Sequence, residues 1–215
     1  MGTVLSEHQK TFRKLVQTHI KKSGQVVRVL AVAGPNGGWK TTLIRALIKK
    51  FPKIFTEVTQ VSTRPPRYDD RARRFVSLLK FKNEKIILGW IAGIYEYWYA
   101  LQDLMSAIYT NKILIFEGIS RLEKLKKILQ KKFIVSVIVW VLPPGRSVQN
   151  IVAVLEKRLS SRSTSQQSDI QKKLAEAQYR IIPEVLKKAD LIIRSTSFKT
   201  ESDVEKVMNK IRCMM

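Results

Sequence analysis

Apolar and polar positions follow two patterns along this chain, which predict strands and helices in turn. Short runs of apolar and β-branched residues predict strands over 26–33, 57–62, 112–117, 133–142 and 190–194. Apolar residues spaced three or four positions apart predict helices over 41–50, 148–159, 169–188 and 201–211. Strands that alternate with helices are typical of a parallel sheet covered on both faces, so we expect a three-layer α/β protein.

Three segments lack the pattern of a buried core. Residues 63–75 are charged and broken by prolines, which predicts an exposed loop, and the Ser-rich stretch 160–168 predicts a mobile loop. Residues 1–25 are basic and carry an apolar stripe at helical spacing, so a short amphipathic helix is expected as an extension of the domain. The stripe consists of Phe12, Leu15, Val16 and Ile20.

Composition excludes several classes of protein. A chain of 215 residues that is 45% apolar can bury a domain-sized core and is not wholly disordered. Its longest apolar run, 133–142, is shorter than the ~20 residues that span a bilayer, and no secretory signal precedes it. We therefore expect a cytoplasmic protein without a membrane partner. One cysteine and two histidines make a disulfide framework or a zinc site unexpected.

The charge is strongly positive. Forty Lys and Arg against 17 Asp and Glu leave a net charge of +23, which favours anionic partners such as nucleotides, nucleic acid or acidic lipid. The basic residues are spread along the whole chain, without an aromatic ribonucleoprotein-type motif or a zinc finger. Nucleic-acid binding therefore has charge in its favour but no motif, and the oligomeric state is not predicted.

The strongest motif follows the first predicted strand. Its eight residues have the Walker A form G-x-x-x-x-G-K-[ST], except that Trp39 stands where the second glycine belongs. Backbone N–H groups of such a loop bind phosphate oxygens at a helix N-terminus, the lysine reaches the β- and γ-phosphates, and the hydroxyl ligates Mg²⁺. The candidate ATP-binding residues, with the next threonine, are Gly34, Pro35, Asn36, Gly37, Gly38, Trp39, Lys40, Thr41 and Thr42.

Further motifs, in the same order along the chain, resemble those of the guanylate kinase family over roughly residues 26–212. Besides the phosphate loop, they are Ser62-Thr-Arg64-Pro-Pro-Arg67, Arg73-Arg-Phe-Val-Ser77, Tyr97-Trp98-Tyr99, Val141-Leu-Pro-Pro144 and Arg158-Leu-Ser-Ser-Arg162. The resemblance implies a core of 26–62 and 101–212, a nucleoside monophosphate (NMP)-binding insert at about 63–100 and a lid at about 159–170.

The resemblance also implies an activity, the phosphorylation of GMP or dGMP by Mg·ATP, and a role for each matching residue. Lys40 and the lid arginines Arg158 and Arg162 would act on the transferring phosphoryl group. Thr41 and Glu117 would hold Mg²⁺, the carboxylate through water. The residues implied in binding the monophosphate are Gln60, Arg64, Arg67, Arg73, Tyr97 and Tyr99.

Departures from the family concentrate at the base-recognition site, so another nucleoside monophosphate is an alternative acceptor. The family's guanine-binding glutamate falls at Gly89, with a slip of one residue in the alignment, and Glu96 lies close enough in sequence to replace it. Gln60 occupies a position where the family has a phosphate-site serine, and Arg73 replaces a phosphate-binding tyrosine of the family.

Trp39 and Trp98 both occupy positions that the family fills with glycine. One explanation is degeneration into a catalytically dead interaction module. The other is a UGA codon that denotes glycine in some genetic codes and is translated as tryptophan by others. Nine glycines are few for 215 residues, since average usage of ~7% would give roughly 15. The codons for residues 39 and 98 distinguish the two explanations.

Overall fold

The computed structural model describes residues 5–66, 73–76, 84–92, 94–161, 167–183, 189–194, 200–212 and 215. Its helices are α1 (Glu7–Ser23), α2 (Lys40–Lys50), α3 (Leu101–Tyr109), α4 (Ile119–Leu129), α5 (Val148–Ser160), α6 (Gln167–Glu176) and α7 (Thr200–Ile211), with a π-helix over Ala177–Ile181. Its strands are β1 (Val27–Ala33), β2 (Phe55–Glu57), β3 (Gln60–Ser62), β4 (Arg73–Phe75), β5 (Ile86–Ala92), β6 (Tyr95–Ala100), β7 (Ile113–Glu117), β8 (Ile134–Leu142) and β9 (Leu191–Arg194).

The strands form two sheets. A five-stranded sheet has the order β2-β7-β1-β8-β9, in which β2 pairs in parallel with β7 and β8 in parallel with β9. This confirms the predicted α/β class with a parallel central sheet. A second sheet has the order β4-β3-β6-β5, with antiparallel pairs β3–β6 and β5–β6. The helix–strand alternation did not predict this second sheet.

Two predictions between residues 57 and 75 were wrong. The single strand expected over 57–62 is two short strands, β2 and β3, which belong to different sheets. The segment 63–75, expected to be an exposed loop, ends in strand β4, and Arg64 within it is only 4% exposed. Hydrogen bonds and an aromatic ring compensate for the burial of this charge, as described below.

The chain divides into two compact units. The first comprises Met1–Val29, Lys53–Phe116 and Ser120–Val135. Within it, Ser6 caps α1, and Phe12 and Val16 of that helix are fully buried. Gln9 Nε2 of α1 donates a hydrogen bond of 3.0 Å to the carbonyl oxygen of Ile87 in β5. The N-terminal helix therefore packs into this unit, although Leu15 of its predicted apolar stripe is exposed.

A half-buried ion-pair network joins β4 to α3 in the same unit. Arg74 of β4 forms ion pairs with Glu84 and, at 3.0 Å, with Asp103 of α3. Its hydrogen bond to Glu84, followed by the contacts with Asp103, raises the pKa of the Arg74 guanidinium further above its ordinary value. The network helps to hold one edge of the second sheet.

The second unit comprises Leu30–Pro52, Glu117–Ile119 and Ser136–Met215. Helix α2 packs against α7, with Lys50 Nζ 3.8 Å from the Glu205 carboxylate. Strand β8 is buried from Val137 to Leu142, and its Ile138 N–H donates to the Asp190 carboxylate just before β9. The predicted mobile loop 160–168 lies mostly outside the described residues.

Among the described helices, none combines the length and the apolar character that a bilayer span requires.

Candidate active site

The predicted phosphate loop lies between the end of β1 and the start of α2, within the second unit. Gly34 has a φ of 142°, and a Cβ built there would lie 2.2 Å from the carbonyl oxygen of Val141 in β8. Only glycine fits such a contact, because no side chain can approach a backbone oxygen so closely. A Cβ at Gly38 would also lie within about 3 Å of the carbonyl oxygens of Pro35 and Val141. Both glycines are thus required by close backbone packing.

Lys40 is the first residue of α2, and its side chain returns across the loop. Its Nζ donates a hydrogen bond of 2.9 Å to the carbonyl oxygen of Pro35 and lies 3.6 Å from Glu117 Oε1 at the end of β7. The Lys40 side chain is 11% exposed and that of Glu117 is 40% exposed. Three residues predicted to act together, Pro35, Lys40 and Glu117, therefore lie at one place.

Thr41 and Thr42 follow in the first turn of α2, and both are exposed, as is Asn36 in the loop. This turn contains no acidic residue, so its N–H groups and the positive end of the helix dipole favour an anion. The Thr41 hydroxyl and the Glu117 carboxylate are oxygen donors. Mg²⁺ prefers such donors and takes its remaining ligands from phosphates and water, so this donor set fits it. No cluster of three or more His, Cys, Asp or Glu suited to a metal occurs in the described parts of the chain.

Trp39 immediately precedes α2 and has a left-handed backbone, with φ of 62° and ψ of 18°. A residue with a Cβ pays roughly 1–2 kcal/mol for this conformation, whereas glycine adopts it freely. Trp39 provides no side-chain cap for the helix. The backbone at position 39 therefore has the geometry that suits the glycine of the motif.

Arg158, in the last turn of α5, also lies at the loop. Its Nη1 donates a hydrogen bond of 3.1 Å to the carbonyl oxygen of Gly37, and its guanidinium lies over the indole ring of Trp39. One predicted lid arginine is thus in contact with the phosphate loop. Its predicted partner Arg162 lies outside the described residues.

The candidate monophosphate residues lie in the first unit, on and beside the second sheet. The backbone N–H of Arg64 donates a hydrogen bond of 3.0 Å to Ser62 Oγ, and its Nη1 donates one of 2.8 Å to the Pro65 carbonyl oxygen. Its guanidinium lies 5.7 Å from the centroid of the Phe75 ring. Arg67 lies outside the described residues.

Strand register determines which of these side chains share a face. Ser62 pairs with both Phe75 and Tyr97, and Tyr97 pairs with Trp90, so these four residues form one row across the sheet. Because side chains alternate along a strand, Gln60, Arg73 and Tyr99 lie on the same face as this row. The predicted residues Gln60, Arg73, Tyr97 and Tyr99 therefore lie on one face of the sheet, which we call the aromatic face. Tyr99 is only 4% exposed on this face, because its ring packs against Phe116.

Trp98 lies on the other face of this sheet, opposite Val61 and Gly89. It is fully buried in a small core with Val61, Ala100, Val76 and Ile86. Trp98 therefore belongs to the interior of strand β6 and not to a turn.

Glu96 also shares the face of Trp98 rather than the aromatic face, since it precedes Tyr97 in β6. Its backbone N–H donates a hydrogen bond of 3.0 Å to Thr63 Oγ1. The alternation of side chains does not favour Glu96 as the replacement for the missing glutamate. Trp90, one residue after Gly89, stands directly opposite Tyr97 instead.

Sequence reasoning missed Trp90 and Arg121. The Trp90 ring stacks on Tyr97 at a centroid distance of 5.7 Å and contacts Tyr99 at 5.5 Å, while the Arg121 guanidinium of α4 lies 4.2 Å from the Trp90 centroid. The period-two aromatic pattern Tyr95-Glu-Tyr97-Trp-Tyr99 was the signal for strand β6. No comparable signal connects Arg121 to Trp90, because they meet only through the fold.

The chain is similar in sequence to proteins named guanylate kinase. No family model matches the chain. The guanylate kinase of Lawsonia intracellularis is 32% identical over 162 residues, which cover 71% of this chain and 70% of the relative. That of Prochlorococcus marinus subsp. pastoris is 30% identical over 162 residues, covering 72% and 82%.

A solved structure, the guanylate kinase of Anaplasma phagocytophilum, superposes with a TM-score of 0.54 at 14% identity, covering 88% of this chain and 86% of that one. This superposition supports the fold. The sequence identity to these two relatives, which extends over more than two thirds of their length, shows the family. The chain belongs to the guanylate kinase family.

Proposed function

We propose that the protein transfers the terminal phosphoryl group of Mg·ATP to GMP or dGMP, forming ADP and the nucleoside diphosphate. The observation that carries the proposal is the position of Lys40, held over the phosphate loop by the Pro35 carbonyl oxygen and Glu117. An ammonium group at the N-terminus of a helix, beside a loop packed too tightly for side chains, suits a polyphosphate. The relatives named guanylate kinase support the acceptor class.

Phosphoryl transfer depends chiefly on positioning and charge stabilisation, so each proposed role is electrostatic. Lys40 and the loop amides would bind the triphosphate, and Thr41 and Glu117 would hold Mg²⁺. Bound Mg²⁺ would neutralise charge on the phosphate oxygens. Arg158 would move from the Gly37 carbonyl oxygen onto the transferring group, together with Arg162. The residues proposed to hold the acceptor are Gln60, Arg64, Arg67, Arg73, Tyr97 and Tyr99.

A coupled assay of ADP release tests the proposal directly. With ATP, Mg²⁺ and a panel of monophosphates, we expect release that requires the metal and a monophosphate together, and that is fastest with GMP or dGMP. Fast release with a different monophosphate would support the alternative acceptor instead. ADP release that is independent of any monophosphate would contradict the proposal.

A second candidate function is a non-catalytic interaction module. The contact of the Arg158 guanidinium with the Trp39 indole favours it, because both groups lie at the loop where a triphosphate would bind. Binding of nucleic acid through the +23 charge is a third candidate, and a titration with mixed oligonucleotides in rising salt tests it. Affinity for oligonucleotides as tight as for nucleotides would favour that role.

Replacement of Trp39 separates the kinase from the module. We expect Trp39→Gly to bind ATP about 10-fold more tightly or better, because it removes the indole and a backbone cost of roughly 1–2 kcal/mol that opposes a well-ordered loop. Calorimetry of ATP binding measures the change. Trp39→Ala is the matched control, since it removes the indole but keeps a Cβ at a left-handed position. Equal affinity in all three proteins would show that Trp39 does not hinder ATP.

A further inference from the structure

The aromatic face carries an arginine whose donors are not used by the rest of the described structure. Arg121 is half-buried against the Trp90 ring at 4.2 Å, a distance suited to a cation–π contact. Among the described residues, none accepts a hydrogen bond from its guanidinium. The Trp90 ring covers one side of the guanidinium, and the N–H donors of a planar guanidinium lie at its edge. Arg121 therefore offers a donor pair that no described residue uses.

Arg121 lies at the end of the sheet face that carries the candidate monophosphate residues of the same unit. Trp90 stands at the end of the row Phe75, Ser62, Tyr97, Trp90, two strands from Ser62. At about 4.8 Å per strand, that separation is roughly 10 Å. A nucleoside monophosphate held by its phosphate near Arg64 and Arg73 would therefore extend its base towards Trp90 and Arg121.

The chemistry of the aromatic face favours a base with acceptors on its edge. Tyr97 and Trp90 offer partly exposed rings, Tyr99 lies buried beside them, and Arg121 offers donors. The described strand residues of this face include no carboxylate, since Glu96 lies on the opposite face with Gly89. A 2-amino group on a purine therefore finds no carboxylate on these strands. In contrast, the O6 and N7 atoms of a 6-oxopurine are both acceptors, and arginine binds this pair bidentately.

We propose that Arg121 determines the acceptor base, as a donor pair to O6 and N7, and that the site binds GMP and IMP alike while discriminating against AMP. This inference rests on the proposed function, because it assumes that the aromatic face holds the acceptor nucleotide. Adenine keeps the N7 acceptor but has a 6-amino group in place of O6. An N–H donor of the arginine would then face another N–H donor, and one of the two hydrogen bonds would be lost. The 2-amino group of guanine contributes little to binding at this site.

Calorimetry with GMP, IMP and AMP, in the absence of ATP, tests the inference without any requirement for turnover. We expect GMP and IMP to bind with similar affinity and AMP about 10-fold more weakly or worse. Arg121→Ala should weaken GMP and IMP about 10-fold and change AMP little. Arg121→Lys keeps the positive charge over Trp90 but loses the planar fork, so it should lose most of the preference for 6-oxopurines while remaining folded.

Lys127→Ala is the matched control, because it removes one positive charge from an exposed position of the same helix. It should leave the three affinities unchanged. IMP binding as weak as AMP binding, or an equal loss for all three nucleotides in Arg121→Ala, would overturn the inference and leave the proposed function intact. If the wild-type chain binds none of the three, both fail. If it binds them in the expected order but releases no ADP with ATP, the proposed function alone fails.

Discussion

Lys40→Ala is expected to lower the rate of phosphoryl transfer by about 10²–10³, the usual cost of removing one preorganised group that stabilises developing charge. The Lys40 side chain is 11% exposed and directed across the loop by the Pro35 carbonyl oxygen and Glu117. Its ammonium group is therefore already in place before a triphosphate binds. Single-turnover ADP formation with GMP measures the loss, in the wild-type chain and in the Trp39→Gly variant.

Lys49→Ala is the control for the loss of one charge, because Lys49 is exposed in the last turn of the same helix. It should transfer phosphate at the wild-type rate. Lys40→Arg keeps the positive charge but cannot place a compact ammonium group between the Pro35 carbonyl oxygen and Glu117, so we expect only partial rescue. Full turnover in Lys40→Ala would exclude the phosphate loop as the site of transfer.

The phosphate loop was predictable because its determinants are local. A buried strand, a glycine-rich turn and an amphipathic helix follow one another within 25 residues, and the close approach of the Val141 carbonyl oxygen explains why Gly34 and Gly38 must be glycines. The ion pair of Lys40 with Glu117 joins residues far apart in sequence. The family resemblance gave each residue a role at the phosphate site, but it did not predict this ion pair.

The aromatic face was only partly predictable, because the sheet that carries it depends on register between distant strands. The resemblance named Gln60, Arg73, Tyr97 and Tyr99, but no sequence pattern stated which of them share a face. The pairing of Ser62 with Tyr97, and of Tyr97 with Trp90, supplies that information. The same pairing does not favour Glu96, whose proximity in sequence had suggested a role. A shift of one residue along a strand moves a side chain to the other face.

The two tryptophans that replace family glycines are alike in sequence and different in structure. Trp39 has a left-handed backbone at the start of a helix, where a Cβ is a disadvantage. Trp98 has an extended backbone in β6, and Gly89 stands opposite it, so the neighbouring strand leaves room for the indole. Whichever explanation holds for both residues, degeneration or misreading of a codon, a change from tryptophan to glycine is therefore expected to affect the protein differently at the two positions.

Trp98→Gly is expected to destabilise the protein by about 3–5 kcal/mol, as large-to-small substitutions of buried aromatic residues do, with up to about 1 kcal/mol more for a glycine within a strand. The side chain is fully buried with Val61, Ala100, Val76 and Ile86, and nothing among these neighbours is large enough to fill the space that the indole leaves. Urea unfolding followed by circular dichroism gives the change in the free energy of unfolding.

Trp39→Gly is the matched control, because it makes the same chemical change at a position whose backbone favours glycine. It should unfold at a free energy within about 1 kcal/mol of the wild type, since relief of the left-handed conformation offsets the lost contacts of a half-buried indole. If Trp98→Gly is as stable as the wild type, the indole contributes nothing to the packing, and a glycine encoded at position 98 becomes the better account. A large decrease in the free energy of unfolding for Trp98→Gly, with none for Trp39→Gly, would instead mean that the Trp98 indole stabilises the core. Only position 39 would then still favour the glycine of the family motif.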